Sequence, residues 1–199
     1  MSAAAIRPYR PGDLDALYHI CLSTGEHGQD ASALYADRRI LGEIYAAPYA
    51  MLEPELAFVA EDDAGVAAYI LGTADTRAFE ARREAEWWPA LRGRYPDTAD
   101  VPGRRRTPDE WCAYLIHHPA ITPQAVVDVA PAHLHVDLLP RFQRQGLGRR
   151  MLDTWLEAVG GRAHLGTSEP NRRAIRFYET YGWRCLDAPG PVVWMTFGV

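Results

Sequence analysis

The hexapeptide QRQGLG, Gln143 to Gly148, has the make-up of a loop that holds an anion. It lies between an apolar run that reads as a strand, Leu134 to Leu138, and a stretch of helical spacing, Leu147 to Val159. The first N–H groups of a helix lack intrahelical partners and meet the positive end of the helix dipole. A phosphate is stabilised there, and glycines let it approach the main chain. The alternative is a plain glycine turn between strand and helix. A second constellation lies just upstream, where His133, His135 and Asp137 alternate along one strand and so share a face. A carboxylate beside apolar Val136 and Leu138 would have its pKa raised by burial into the range of a proton acceptor, and a neutral imidazole is available near pH 7. A strand-end aspartate making a turn hydrogen bond is the plainer reading of Asp137. As metal ligands His133 and His135 are only two, and His117-His118 has no partner set, so no metal is expected.

The elements around these residues follow from periodicity. Ile6 to Tyr9 reads as a short strand, and Pro11-Gly12-Asp13 turns the chain into a helix carrying Leu14, Leu17, Tyr18 and Cys21. Residues 23 to 54 are broken by Gly25, Gly28, Pro48 and Pro54 and predict short helical turns. Glu55 to Ala60 and Gly65 to Gly72 flank Asp62-Asp63-Ala64-Gly65, an antiparallel hairpin. From Thr73 to Pro123 the pattern lapses: FEARREAEWWPALRGRYP reads as helical up to its proline, and the breakers of DTADVPGRRRTPDEW follow, with arginines 104 to 106 read as a solvated loop. This stretch is too short for a core of its own and is taken as an insertion at about 73–123 in a single domain spanning 1–199. Ala125 to Val129 and Ala163 to Gly166 are strand-like, and Val192 to Phe197 closes as a strand. Ala174, Phe177, Tyr178 and Tyr181 recur at helical spacing as one aromatic face, which by itself means core packing. The predicted class is α/β with a mixed sheet.

Two nucleotide-binding motifs fail on this loop. The dinucleotide fingerprint needs a third glycine where Met151 stands, and a Walker loop needs a lysine, whereas all 21 basic residues of the chain are arginine. A net charge of -5 and a pI near 5.8 leave no basic face for nucleic acid. Cys21, Cys112 and Cys185 are odd in number and have no C-x-x-C spacing, which favours reduced thiols. The start lacks a secretory h-region and no apolar run reaches membrane-spanning length, so the expected location is cytoplasmic, with no membrane partner.

Gln143, Gly146 and Gly148 fill the Gln/Arg-x-x-Gly-x-Gly/Ala signature of the GCN5-related N-acetyltransferases, and NRRAIRFYETYGW, with Asn171, Ala174, Phe177, Tyr178, Gly182 and Trp183, resembles that family's later segment. The opening IRPYRPGD with its following helix is similar as well. More narrowly, HLHVDLLP with EPNRRAIRFYETYGW resembles bacterial relatives of the acetyltransferase-like domain attached to animal O-GlcNAcases. The resemblance implies a mixed, mostly antiparallel sheet flanked by helices and splayed between its fourth and fifth strands. It also implies acetyl-CoA as co-substrate, bound at Leu138, Leu139, Gln143, Arg144, Gln145, Gly146, Leu147, Gly148, Arg149, Arg150, Asn171 and Phe177. The backbone N–H of Leu138 would polarise the thioester carbonyl and Tyr178 would be the acid for the leaving thiolate. The glutamate many relatives place on this strand is replaced by Ala132; Asp137 is the first choice of base and His135 the reserve. The implied reaction is direct acetyl transfer in a ternary complex to a primary amine, of a small molecule or a protein lysine. An idle acyl-CoA-binding or interaction module is the alternative. Trp87, Trp88 and Trp111 are read either as walls of the acceptor site or as packing for the insertion, Glu26 and Asp30 as acidic contacts for a cationic amine, and the resemblance allows a homodimer through the last strands.

Overall fold

The computed structural model describes residues 4–99, 105–188 and 190–199. In chain order it contains β1 (Ala5–Pro8), α1 (Leu14–Thr24), α2 (Ile40–Tyr45), α3 (Ala47–Leu52), β2 (Ala57–Asp62), β3 (Gly65–Thr73), α4 (Thr76–Arg82), α5 (Trp88–Arg94), α6 (Pro108–His117), α7 (Gln124–Val129), β4 (Ala132–Leu138), α8 (Leu147–Ala158), β5 (Ala163–Ser168), α9 (Arg172–Tyr181), β6 (Arg184–Leu186) and β7 (Val192–Phe197). The described strands form one sheet in the order β1-β2-β3-β4-β5-β7-β6. Only β4 and β5 pair in parallel.

The β2–β3 hairpin turns where the sequence predicts: Asp62 Oδ1 accepts the Ala64 N–H at 2.9 Å and Gly65 takes φ 98°, which glycine adopts without strain. Its partner β4 pairs with β3 over six residues, from Thr73↔His133 to Ala68↔Leu138. Behind this pair lies α8, whose Trp155 is fully buried and donates its indole N–H to the Leu56 carbonyl at 3.0 Å. Gly72, with no side chain, leaves room for that ring against β3.

Two segments differ from expectation. Ala125 to Val129 lies in helix α7, not a strand: Pro123 starts the turn, Val126 and Val127 face inward, and a run this short does not distinguish the two states by periodicity. The strand β6 is too short to announce itself in the sequence. Between 73 and 123 the chain forms α4, α5 and α6, with a π-helical turn at Arg83–Trp87 joining the first two. Phe79, Trp88, Leu91, Cys112 and Ile116 from these helices enter the same buried cluster as the sheet, so residues 73–123 share the main core. Arg106 packs over the Tyr114 ring and donates to the Thr98 carbonyl at 2.9 Å, which corrects the solvated reading for that residue; Arg104 lies outside the described residues. No helix among the described residues is long and apolar enough to cross a membrane.

A Cβ placed on Gly72 would stand 2.3 Å from the His133 carbonyl oxygen and 2.3 Å from a Trp155 ring carbon. Gly72→Ala is therefore expected to lower the unfolding free energy by roughly 2–3 kcal/mol through overpacking, read from the urea midpoint. An unchanged midpoint would mean that β3 and α8 separate at little cost.

Candidate active site

The parallel ladder between β4 and β5 holds only two residue pairs, Ala132↔Ala163 and His133↔His164. Beyond them β4 stays bound to β3 and β5 to β7. The pairing along β3 decides what the gap contains. Leu139 N–H donates to the Ala67 carbonyl at 2.8 Å, so this is a hydrogen-bonded pair of the antiparallel ladder. In the neighbouring pairs Ala68/Leu138 and Ile70/Val136, the N–H and C=O groups of Leu138 and Val136 then turn away from β3, towards the departing β5. The Leu138 carbonyl is met there by the Gln143 amide Nε2 at 2.7 Å.

A cleft of about 450 Å³ occupies this gap. One wall is Val136, Asp137 and Leu138; the floor is the loop at Gln143, Arg144, Gly146, Gly148 and Arg149; the far wall is Asn171 at the start of α9 with Arg173, Ala174, Phe177 and Tyr178 of that helix; and Thr24 at the end of α1 and Gly28 just beyond it close the cleft. The loop turns through left-handed backbone at Arg144 (φ 60°) and Gly146 (φ 75°), and Gly146 caps α8. Arg150 N–H already bonds the Gly146 carbonyl, so the N–H groups of Leu147, Gly148 and Arg149 form the unpaired first turn. At Gly148 an added Cβ would lie 3.2 Å from the Phe177 ring, so main chain and aromatic meet closely at the cleft floor. Asn171 caps α9 by accepting the Ala174 N–H at 3.2 Å, and Arg173 reaches back to Gln143 Oε1 at 2.7 Å.

Asp137 and Tyr178 face each other across this space. Asp137 accepts the Tyr69 hydroxyl at 2.6 Å. Burial raises its pKa, with the hydrogen bonds from Tyr69 and Thr24 working against that shift. Burial also pushes the Tyr178 hydroxyl well above the usual phenol range, with the Asp137 charge adding to the effect. A carboxylate that holds a proton more readily and a phenol that stays protonated are the two states needed for taking and giving protons near neutral pH.

Ten expected residues line the cleft: Asp137, Leu138, Gln143, Arg144, Gly146, Gly148, Arg149, Asn171, Phe177 and Tyr178. Leu139 and Leu147 are instead buried in the core, Gln145 turns its amide to the Arg141 carbonyl at 2.7 Å, Arg150 points to the Ala4 carbonyl, and His135 lies deeper along β4 against Tyr49. The cleft also takes in Thr24, Gly28, Val136 and Arg173, none of them among the expected site residues. Arg173 was legible by the reasoning applied to α8, since it sits in the first turn of the next helix; nothing in the sequence marks Thr24. Trp87, Trp88 and Trp111 do not line the cleft. Trp88 is core, Trp87 donates to the Glu43 carbonyl at 2.9 Å, and Trp111 is exposed and stacked on Tyr114. Glu26 and Asp30 are exposed outside it. Among the described residues no group of three or more His, Cys, Asp or Glu side chains is arranged to hold a metal ion.

Comparison with known proteins agrees with this geometry. Residues 15–183 match the model of the acetyltransferase (GNAT) family. The protein O-GlcNAcases of Rattus norvegicus and Mus musculus are each 24% identical over 187 residues, covering 89% of this chain and 20% of theirs, so the chain spans about a fifth of the length of these curated relatives. The solved structure of SsHAT is 40% identical, with 98% of each chain covered and a TM-score of 0.89. The PaiA N-acetyltransferase of Thermoplasma acidophilum, in complex with coenzyme A, shares the fold at 13% identity, 98% coverage of each chain and a TM-score of 0.59.

The raised pKa of Asp137 has a consequence for stability. The folded state binds this proton more tightly than the unfolded chain, so stability is lost as pH rises from the unfolded carboxylate pKa through the folded one. Asp137→Asn removes that ionisation and is expected to gain stability relative to the parent as pH rises above the ordinary carboxylate pKa, read from urea midpoints across the acid-to-neutral range. Parallel stability curves across that range would contradict it.

Proposed function

The chain belongs to the acetyltransferase (GNAT) family, and from that premise we propose that it transfers acetyl from acetyl-CoA directly to a primary amine within a ternary complex. The observation that carries this reading is the unpaired end of β4 beside the unpaired first turn of α8, which meet in one cleft with Asp137 and Tyr178.

The residues fit the co-substrate. The N–H groups of the first turn of α8 would hold the pyrophosphate, with Arg144, Arg149 and Arg173 close enough to compensate outlying charge. The Leu138 N–H, turned into the gap, would donate to the thioester carbonyl as negative charge develops on its oxygen. Asp137, steadied by Tyr69, would take a proton from the attacking amine as the new C–N bond forms. Tyr178 would give its proton to the sulfur as the C–S bond breaks, and the proton on Asp137 then restores the phenol. The sum is amine plus thioester to amide plus thiol. The three unpaired thiols of the described chain support a reducing, cytoplasmic setting.

Two variants test the reading. A Cβ on Gly146 meets nothing within 4 Å, so Gly146→Glu sends bulk and charge into open space over the loop with only the strain of a left-handed residue. Isothermal titration is expected to show acetyl-CoA binding to the parent and binding at least about tenfold weaker, 1.4 kcal/mol, in the variant. Tyr178→Phe is expected to keep that affinity and to lose turnover by about 10²–10⁴-fold. Turnover would be followed with acetyl-CoA, n-butylamine and lysine peptides; because the chain has no lysine, no side-chain acetylation of the protein itself obscures the peptide signal. Binding with no acetylation of any amine would favour an idle acyl-CoA-binding module, and no binding would remove the proposal.

A further inference from the structure

Behind Asp137, on the same face of β4, four polar side chains form a hydrogen-bonded row from Thr76 through His133 and Tyr49 to His135. Thr76 Oγ1 lies 2.6 Å from the Pro131 carbonyl oxygen and 2.7 Å from His133 Nδ1. The Tyr49 hydroxyl lies 2.8 Å from His133 Nε2 and 3.1 Å from His135 Nε2. Thr76, His133 and Tyr49 are buried, with Phe79 stacked on Tyr49 at 4.4 Å between ring centroids and His164 5.4 Å from His133, while His135 is half-buried.

The hydrogens in this row can be placed by elimination. Two oxygens 2.6 Å apart need a hydrogen between them, so the Thr76 hydroxyl donates to Pro131 and can only accept from His133. His133 therefore carries its proton on Nδ1. Burial, His164, His135 and Arg83 all hold His133 neutral, which leaves Nε2 a bare acceptor. The Tyr49 hydroxyl fills it, and with its single proton spent its oxygen accepts from His135. His135 thus carries its proton on Nε2. Burial first and the Arg83 charge second pull its pKa down to about 4, so it too is neutral, and its Nδ1 is a bare lone pair. That nitrogen has no hydrogen-bond partner among the described residues and is not shut away from the surface. The row cannot serve as a proton conduit, because its far end is a backbone carbonyl and moving charge onto His133 is opposed by everything around it. Its effect is orientation.

We propose that Thr76, His133 and Tyr49 are positioning residues that lock His135 as the Nε2–H tautomer, so that its Nδ1 lone pair stands beside Asp137 as a fixed acceptor for the second N–H of the incoming amine. This rests on the acetyl-transfer reading for its ligand but not for its geometry. Asp137 and His135 are two residues apart on one pleat face, so the carboxylate and the Nδ1 edge can converge from neighbouring positions on the two hydrogens of a primary amine and leave its lone pair free to attack. This arrangement also makes a secondary amine, with one hydrogen, the poorer acceptor.

Long-range ¹H–¹⁵N spectra of the labelled full chain, assigned against His135→Asn, read the tautomers without any turnover. The expected result is a protonated Nδ1 on His133 and a protonated Nε2 on His135; a protonated Nδ1 on His135 overturns the proposal. Tyr49→Phe keeps the stacked ring and removes the hydroxyl. It is expected to let His135 become a mixture of tautomers and to lower kcat/KM for n-butylamine, or for the best amine of the acceptor screen, about tenfold with the KM for acetyl-CoA unchanged. Thr76→Val, which frees His133, serves the same purpose should Tyr49→Phe fail to fold. Unchanged amine kinetics in a variant whose tautomers have shifted would overturn the orienting role. Tautomers as assigned in a protein that acetylates no amine would remove the amine-orienting role together with the acetyl-transfer reading, and would leave only the hydrogen-bonded row.

Discussion

The constraint on which the rest depends is that β4 and β5 cannot stay together. Each is held on its outer side, β4 by six pairs to β3 and β5 by six pairs to β7, while only two pairs join them to each other. A gap bounded by two well-anchored strands is a fixed feature and not a frayed end. Backbone groups inside a protein pair with other backbone, side chains or water, and the N–H and C=O groups that Val136 and Leu138 turn into the gap have no strand partner there, which leaves them available to amides or a carbonyl. The Gln143 side chain meets part of it by bonding the Leu138 carbonyl, which also ties the glycine loop to the strand it follows.

The two faces of β4 are divided in their chemistry. Leu134 and the face it shares pack towards Trp155 and the α8 layer, whereas His133, His135 and Asp137 look to α1, α3 and α4. That second face is polar: Tyr69, Tyr49 and Thr76 hydrogen-bond to Asp137, His133 and His135, and burial works against charge on each of the three. Thr76, Phe79 and Arg83 come from α4 and the turn after it, so the segment between 73 and 123 is part of what sets the environment of the strand.

The glycine loop was readable because helix starts and left-handed glycines follow from local rules, and the alternation of His133, His135 and Asp137 because a strand has period two. The hairpin at Asp62 to Gly65 was readable for the same reason. What the sequence could not disclose came from tertiary contact. Tyr49 sits in a stretch of short helical turns with no pattern, 84 residues from the histidine it bonds, and Thr24 reaches the cleft only because α1 ends there. The tryptophans of the insertion were chemically conspicuous, yet Trp88 ended in the core, since large aromatics are as useful for packing as for binding. Val126 and Val127 were apolar enough for a strand, and the preceding Pro123 decided for a helix.

A gap within a sheet, unlike a hollow on a surface, is walled from both faces of the sheet. The lining here comes from both sides: Thr24 and Gly28 on the α1 side, Gly146 and Gly148 on the α8 side. In the proposed reaction donor and acceptor would therefore enter by separate doors and meet only at the centre. On that reading neither would block the other's way in or the other product's way out, and any order of binding would arise from how one ligand reshapes the gap and not from which arrives first.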